Sequence, residues 1–199
     1  MSRLIVGIDE VGRGPIAGPV GVGVFSADPS VLDLLLEEAQ TLGLVLRDSK
    51  KLSEKKRDAW YTFLVQKQDA GMCTFSVSLV SAEEIDTIGI APAIRQAIAQ
   101  SLLQLQTPTD AMLVLDGGLK APVEFTDQKT IIKGDETESA ISLASIVAKV
   151  TRDAYMVEQS KHYPDYGFEI HKGYGTKKQY EALRLHGLCP LHRKTFIHL

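Results

Sequence analysis

The sequence predicts an α/β fold, a mixed sheet flanked by helices and followed by a C-terminal helical segment. Three observations lead there. Short apolar runs rich in β-branched residues end at a carboxylate beside glycine, as at residues 4–8 before Asp9-Glu10, 111–115 before Asp116-Gly117, and 130–133 before Gly134-Asp135. Longer stretches with apolar residues at helical spacing separate these runs, and strands interleaved with helices point to helices packed on a mixed sheet. No internal repeat, low-complexity run or long linker divides the 199 residues, which read as a single domain with 160–199 as its C-terminal segment.

Residues 4–8 are too short and too β-branched for a helix and form the first strand. Val20, Val22 and Val24 alternate with glycine towards Phe25, the pattern of a second strand pairing with the first, its glycine face lying against something close. Residues 30–43 place Val31, Leu34, Leu35, Ala39 and Leu42 on one helical face, with Asp33, Glu37 and Glu38 mostly opposite. Ser53 opens a helix that buries Ala59, Trp60, Phe63 and Leu64. Cys73, Phe75, Val77 and Leu79 alternate with Thr74, Ser76 and Ser78, which predicts a strand with one wet face. Ser81-Ala82-Glu83-Glu84 has the form of a capping box for a short helix, and Pro92 can begin a longer one through Ile94, Ala97, Ile98, Leu102 and Leu105. Residues 111–115 form a continuous apolar run suited to a central strand. A long helix follows from about Thr137 through Ile141, Ala144 and Val147 to Met156, and a helical piece covers 177–185.

Composition narrows the function classes. The chain is 44% hydrophobic and 24% charged, with a net charge of −3, so no global field attracts nucleic acid. Any such binding needs local basic groups, and a carboxylate-rich site needs metal ions to reverse its sign. Cys73 and Cys189 lack metal-ligand or redox spacing and read as free packing residues. With no apolar leader and no run of membrane-spanning length, a cytoplasmic monomer is the default expectation.

The chemistry concentrates at the strand ends. Asp9, Glu10, Asp116 and Asp135 can converge there, because ligands of open α/β sheets bind beyond the strand termini. Clustered carboxylates repel, and a hard cation such as Mg²⁺ or Mn²⁺ relieves the repulsion. Zinc fits poorly without a nearby Cys or His. Each acid also has a structural explanation: Asp116 can shape a turn and Asp135 can cap a helix. Gly12 and Gly14 let the backbone approach a ligand and place Arg13 to meet a phosphate or ribose; Arg13 can equally pair with a neighbouring carboxylate. Ser49 and Lys50, in Ser49-Lys50-Lys51, can hold phosphates or form an ordinary lysine-rich loop. Tyr174, between two glycines, can stack on a sugar or base or pack on the tail's own core. Asp153 lies four residues after Lys149 on one helix, and an ion pair accounts for it. The five histidines show neither zinc spacing nor a nucleophile arrangement.

Taken together the motifs resemble ribonuclease HII, the type 2 ribonuclease H of bacteria. They are Gly7-Ile8-Asp9-Glu10-Val11-Gly12-Arg13-Gly14-Pro15, Asp48-Ser49-Lys50-Lys51-Leu52-Ser53, Leu115-Asp116-Gly117, Lys133-Gly134-Asp135, the segment from Ala144 to Asp153, and His171-Lys172-Gly173-Tyr174. The resemblance implies a ribonuclease H-like fold and four metal-binding carboxylates, Asp9, Glu10, Asp116 and Asp135. It further implies that Gly12, Arg13 and Gly14 read the 2′-hydroxyl at an RNA–DNA junction, that Tyr174 stacks on the neighbouring deoxyribose, and that Ser49 and Lys50 hold phosphates. The implied substrates are RNA–DNA hybrids and duplex DNA carrying a single ribonucleotide, cut on its 5′ side to leave a 5′-phosphate and a 3′-hydroxyl. Two divalent ions, about 3.5–4 Å apart, would clamp the scissile phosphate. Two positions depart from the family pattern: Gly89 and Gly118 stand where asparagine is usual.

Two other classes predict different behaviour. An actin-like phosphotransferase also cradles phosphate at an aspartate–glycine turn, but the chain is short for two lobes and offers one such turn. A non-catalytic hybrid-binding module has no use for clustered negative charge.

Overall fold

The computed structural model describes residues 3–46 and 51–197. Its centre is β1 (Ile5–Val11), whose backbone pairs antiparallel with β2 (Val20–Ala27) on one side and parallel with β4 (Met112–Asp116) on the other. β3 (Thr74–Val80) and β5 (Gln128–Ile131) complete a five-stranded mixed sheet of order β3-β2-β1-β4-β5. β4 is thus interior but not central, and β5 forms the edge.

Alternation along β1 divides the core. Val6 and Ile8 face α4 (Ile90–Gln104), which packs with Ala93, Ile94, Ala97, Ile98 and Leu102 inward; α3 (Ala82–Ile88) adds Ile85 to the same layer. The opposite face receives α1 (Pro29–Thr41), α2 (Glu54–Asp69) and the long α6 (Ser139–His162). α6 lies unusually close. A Cβ on Gly7 would stand 2.1 Å from the Ala140 carbonyl carbon, and one on Gly23 would stand 2.4 Å from the Ala144 carbonyl oxygen. α6 is thus the close neighbour that Gly23 of β2 requires, whereas a Cβ on Gly21 would meet Leu79 Cδ2 at 2.8 Å. Because Gly23 is the cross-strand partner of Asp9, its missing side chain brings α6 down beside that carboxylate.

Local signals account for most element ends. Ser81 and Glu84 form the reciprocal capping box at α3, and the Ser53 side chain accepts from the Lys56 amide at the start of α2. α4 begins two residues before Pro92, where Gly89, at φ 84°, turns the chain out of α3; this positive φ favours glycine.

Three burial expectations need correction. In α1 the buried residues are Leu32, Leu35 and Ala39, while Leu34 and Leu42 are exposed, so the helix rests on a narrower stripe than its apolar content suggests. Ala59 is exposed in α2, where Trp60, Phe63 and Leu64 carry the contact. In β3 the serine face is not wet. Ser76 Oγ donates to the Ser101 carbonyl at 3.0 Å and the Ser78 amide to Ser101 Oγ at 3.1 Å, so α4 covers that face, and the covered Ser78 hydroxyl has no hydrogen-bond partner among the described residues.

After α6 the chain builds a small core of its own from Ile16, Ala17, Met156, Tyr166, Phe168, Ala182 and Leu183. A 3₁₀ turn at Pro164–Tyr166, α7 (Phe168–His171), α8 (Lys177–His186) and a second 3₁₀ turn at Lys194–Phe196 surround it. His171 and His192 belong to this core. The Gly173 amide donates to His171 Nδ1, which leaves Nε2 as the donor to the Tyr166 carbonyl at 2.8 Å. Cys73 and Cys189 are both free. Among the described residues no helix is long and apolar enough to cross a membrane.

Candidate active site

β1 and β4 run parallel and finish at the same end of the sheet, so their terminal carboxylates meet. Oxygens of Asp9, Glu10 and Asp116 lie within 4.8 Å of one another. Asp9 is buried under α6 and accepts from the Glu10 amide at 2.8 Å. Asp116 Oδ1 accepts from the Gly134 amide at 2.7 Å, which ties the end of β4 to the short α5 (Gly134–Thr137). Asp135 is outside the trio of oxygens but next to it: it is buried, and its amide approaches Asp116 Oδ1 at 3.4 Å.

The electrostatics follow from this crowding. Burial above all, with the charges of Glu10, Asp116 and Asp135 added, pushes the Asp9 carboxyl up to about 7 against the opposing hydrogen bond from Ser145. Glu10 is also raised by burial, with the Arg13 guanidinium pulling the other way. Such an acid favours its protonated form in the folded state, so folded protein holds more protons than unfolded protein between about pH 4 and 7 and loses stability as pH rises through that window. Without metal, Asp9→Asn is therefore expected to melt higher than wild type at pH 8 by several degrees, with the gap closing towards pH 5. A gap independent of pH in calorimetry would contradict this placement of Asp9.

An all-oxygen set with a net negative charge suits a hard divalent cation that also keeps water or phosphate ligands. No Cys or His lies in the group. Asp9, Glu10 and Asp116 can supply ligand atoms directly, and Asp135 is close enough to add its charge.

Asp9 and Glu10 open into a cleft of about 220 Å³ whose other walls are Val11, Gly12, Arg13, Gly14, Ser145, Lys149 and Tyr174. Gly12 takes φ 77°, and a Cβ there would strike the Arg152 guanidinium at 2.1 Å; a Cβ on Gly14 would enter open space. Arg13 is exposed, its Nη1 3.6 Å from Glu10 Oε1, a loose pair that leaves most of its donors to solvent. Tyr174 stands 43% exposed on the opposite wall instead of packing in the tail core, with Lys149 Nζ 5.9 Å from its ring centre. Ser49 and Lys50 lie outside the described residues.

Four further residues shape the cleft without having been singled out for it. Ser145 and Lys149, one helical turn apart on α6, line its floor; Lys149 also makes the expected pair with Asp153, at 2.8 Å. Arg152 and Arg193 are fully buried, and each meets three backbone carbonyls. Arg193 donates to Gly12 at 2.7 Å, Arg13 at 3.1 Å and Gly18 at 2.9 Å. Arg152 donates to Pro19 at 2.8 Å, Lys172 at 3.0 Å and Ala17 at 3.2 Å. The two guanidinium groups thereby fasten the Gly-Arg-Gly turn to the tail that carries Tyr174. Burial, with Arg152 nearby, lowers the Arg193 pKa to about 9, which leaves it charged at neutral pH. The residue run around Arg152 belongs to a recognisable motif, whereas the partner carbonyls of Arg193 are 175 to 181 positions away and leave no local signal.

The chain matches known proteins over nearly its whole length. A family model described as Ribonuclease HII matches residues 6–199. A relative named Ribonuclease HII from Endomicrobium trichonymphae is 44% identical over 192 residues, covering 96% of this chain and 84% of its own. Among solved structures, that of the PCNA:RNase HII complex from Archaeoglobus fulgidus superposes with a TM-score of 0.71 at 22% identity, covering 98% of this chain and 96% of the other. Bst-RNase HIII in complex with Mn²⁺ superposes with a TM-score of 0.67 at 15% identity, over 98% of this chain and 67% of that one. At these identities the structures speak to the fold, a mixed sheet of the ribonuclease H type with helices on both faces. The family match and the full-length relative go further: this chain belongs to the ribonuclease HII family, and it is a ribonuclease H endonuclease.

Proposed function

We propose that the chain uses divalent metal ions to cut the RNA strand of RNA–DNA hybrids and to cut on the 5′ side of a single ribonucleotide embedded in duplex DNA, leaving a 5′-phosphate and a 3′-hydroxyl. The observation that carries the reading is the meeting of Asp9, Glu10 and Asp116 oxygens within 4.8 Å at the mouth of a cleft walled by Gly12-Arg13-Gly14 and Tyr174. Asp9, Glu10, Asp116 and Asp135 would hold the metal, Mg²⁺ or Mn²⁺, as two ions. Bound there, the ions supply an activated water and neutralise the charge that develops on the scissile phosphate.

The protein's own groups do the rest. Gly14 leaves room for a sugar edge to approach the turn, and backbone and Arg13 donors then meet the 2′-hydroxyl, the group by which RNA differs from DNA at a single position. Tyr174, held on the opposite wall, offers its ring to the adjacent deoxyribose. Ser145 keeps the Asp9 carboxylate oriented through its hydrogen bond. Ser49 and Lys50 would hold flanking phosphates. In this reading residues 1–199 form one catalytic domain, its segment 160–199 contacts substrate, and the protein works as a cytoplasmic monomer.

The 2′-hydroxyl here is a recognition mark and not the nucleophile, which product chemistry can test. The cleaved duplex should be resealed by a DNA ligase without prior end repair. A 2′,3′-cyclic phosphate among the products, detected by mass spectrometry, would overturn the mechanism.

A further inference from the structure

Across the Gly-Arg-Gly turn from Tyr174 lies a second hollow of about 160 Å³, on the α4 side of the sheet. Arg13, Arg95 and Lys120 rim it, over an apolar floor of Ile94, Ile98 and Leu119. Arg13 lines both this hollow and the carboxylate cleft, so the two adjoin on either side of one side chain. Arg95 and Lys120 are exposed, and neither has a hydrogen bond or ion pair among the described residues. Arg13 has only the loose 3.6 Å contact with Glu10. Three like charges around one depression repel each other, and the fold gains nothing visible from their company in a chain of net charge −3. An anion is the partner they lack. Gly118 also lines the hollow, and a side chain there would point into unoccupied space, which keeps the depression open at its rim.

The sheet's alternation gives the direction of a ligand that uses both sites. Asp9 faces α6, and Glu10, the next residue on β1, faces the α4 side. A duplex lying over the carboxylates with one sugar against Tyr174 and also using the hollow would pass over Arg13, which lines both. We propose that Arg95 and Lys120, together with Arg13, form a subsite for a backbone phosphate of the substrate duplex beyond the cut position. This rests on the reading of the carboxylate cleft as the place of cleavage. Arginine and lysine at such a point contribute affinity and register without reading sequence.

The test compares wild type, the double variant Arg95→Ala/Lys120→Ala and the charge-keeping Arg95→Lys/Lys120→Arg on a duplex with one ribonucleotide, over a series of salt concentrations. Both positions are exposed, so unchanged melting curves are expected. The double alanine variant should raise KM roughly tenfold near 0.15 M salt and make the dependence of log(kcat/KM) on log[salt] shallower by about 1, with kcat and the cut position retained. The charge-keeping variant should keep the wild-type slope. Shortening the duplex from the end that reaches the hollow should bring wild type down to the double variant. A double variant with the wild-type KM and slope overturns the subsite while leaving the cleavage reading intact. Loss of inhibition by inorganic phosphate with an unchanged duplex slope would assign the hollow to a free anion and overturn it too. A wild-type protein that cuts none of these duplexes instead removes the cleavage reading itself.

Discussion

Asp116→Asn is expected to lower metal-dependent cleavage by about a thousandfold or more, equivalent to about 4 kcal/mol of lost transition-state stabilisation. The folded structure should survive. The Asn Oδ1 can still accept from the Gly134 amide, as Asp116 Oδ1 does at 2.7 Å, so the link between β4 and α5 is kept. What disappears is one negative charge beside Asp9 and Glu10, and in metal-free protein that relieves repulsion. The variant should therefore melt at or above the wild-type temperature without metal, and gain less than wild type when Mg²⁺ is added. Parallel activity assays and melting curves check this. Full activity, or loss of activity through unfolding alone, would contradict a metal-binding role for Asp116.

Arg193→Ala should act in the opposite way, through the scaffold. It strands the carbonyls of Gly12, Arg13 and Gly18 in a buried place, and each unsatisfied acceptor costs about 1–3 kcal/mol before relaxation. A net loss of about 3 kcal/mol corresponds to a fall of roughly 6–12 °C in melting temperature for a chain of this size. Arg193→Lys gives the sharper readout because it keeps the charge but not the planar fork that reaches three carbonyls at once. It should fold, and should lose more activity on a single embedded ribonucleotide, on the order of tenfold, than on a long hybrid. Similar losses on both substrates in steady-state kinetics would mean that Arg193 supports the fold but does not position the turn.

The contrast between these two residues shows what could be read from sequence. β1 and β4 were legible because apolar runs that end in a carboxylate beside glycine are local patterns. Once both strands are placed in one sheet, parallel pairing brings their ends together. The capping box at Ser81 and the apolar spacing of α6 were legible for the same local reason, although the helix runs on past Met156 to His162. β3 misled because alternation reports polarity, not solvent: Ser76 and Ser78 are polar and yet covered by α4, where Ser101 partners the Ser76 hydroxyl and the Ser78 amide. α1 misled because an apolar residue has no obligation to be buried, as exposed Leu34 and Leu42 illustrate. The place of Asp135 beside, but not within, the trio of oxygens depends on the turn at Lys133, which adopts φ 56°, a conformation that residue type does not announce. Arg193 was illegible for the most basic reason. Its function is contact with backbone carbonyls far away in sequence, and carbonyls carry no residue identity.

The most direct measurement is cleavage of a labelled DNA duplex containing one ribonucleotide, beside an all-DNA duplex and an RNA–DNA hybrid, each with Mg²⁺, Mn²⁺ or chelator. The account predicts a single cut immediately 5′ of the ribonucleotide, cutting of the hybrid's RNA strand, no cut in all-DNA, and silence with chelator. Cleavage that persists in chelator would contradict the metal-binding carboxylate site, and cleavage confined to the hybrid would contradict recognition of a single 2′-hydroxyl by Gly12, Arg13 and Gly14.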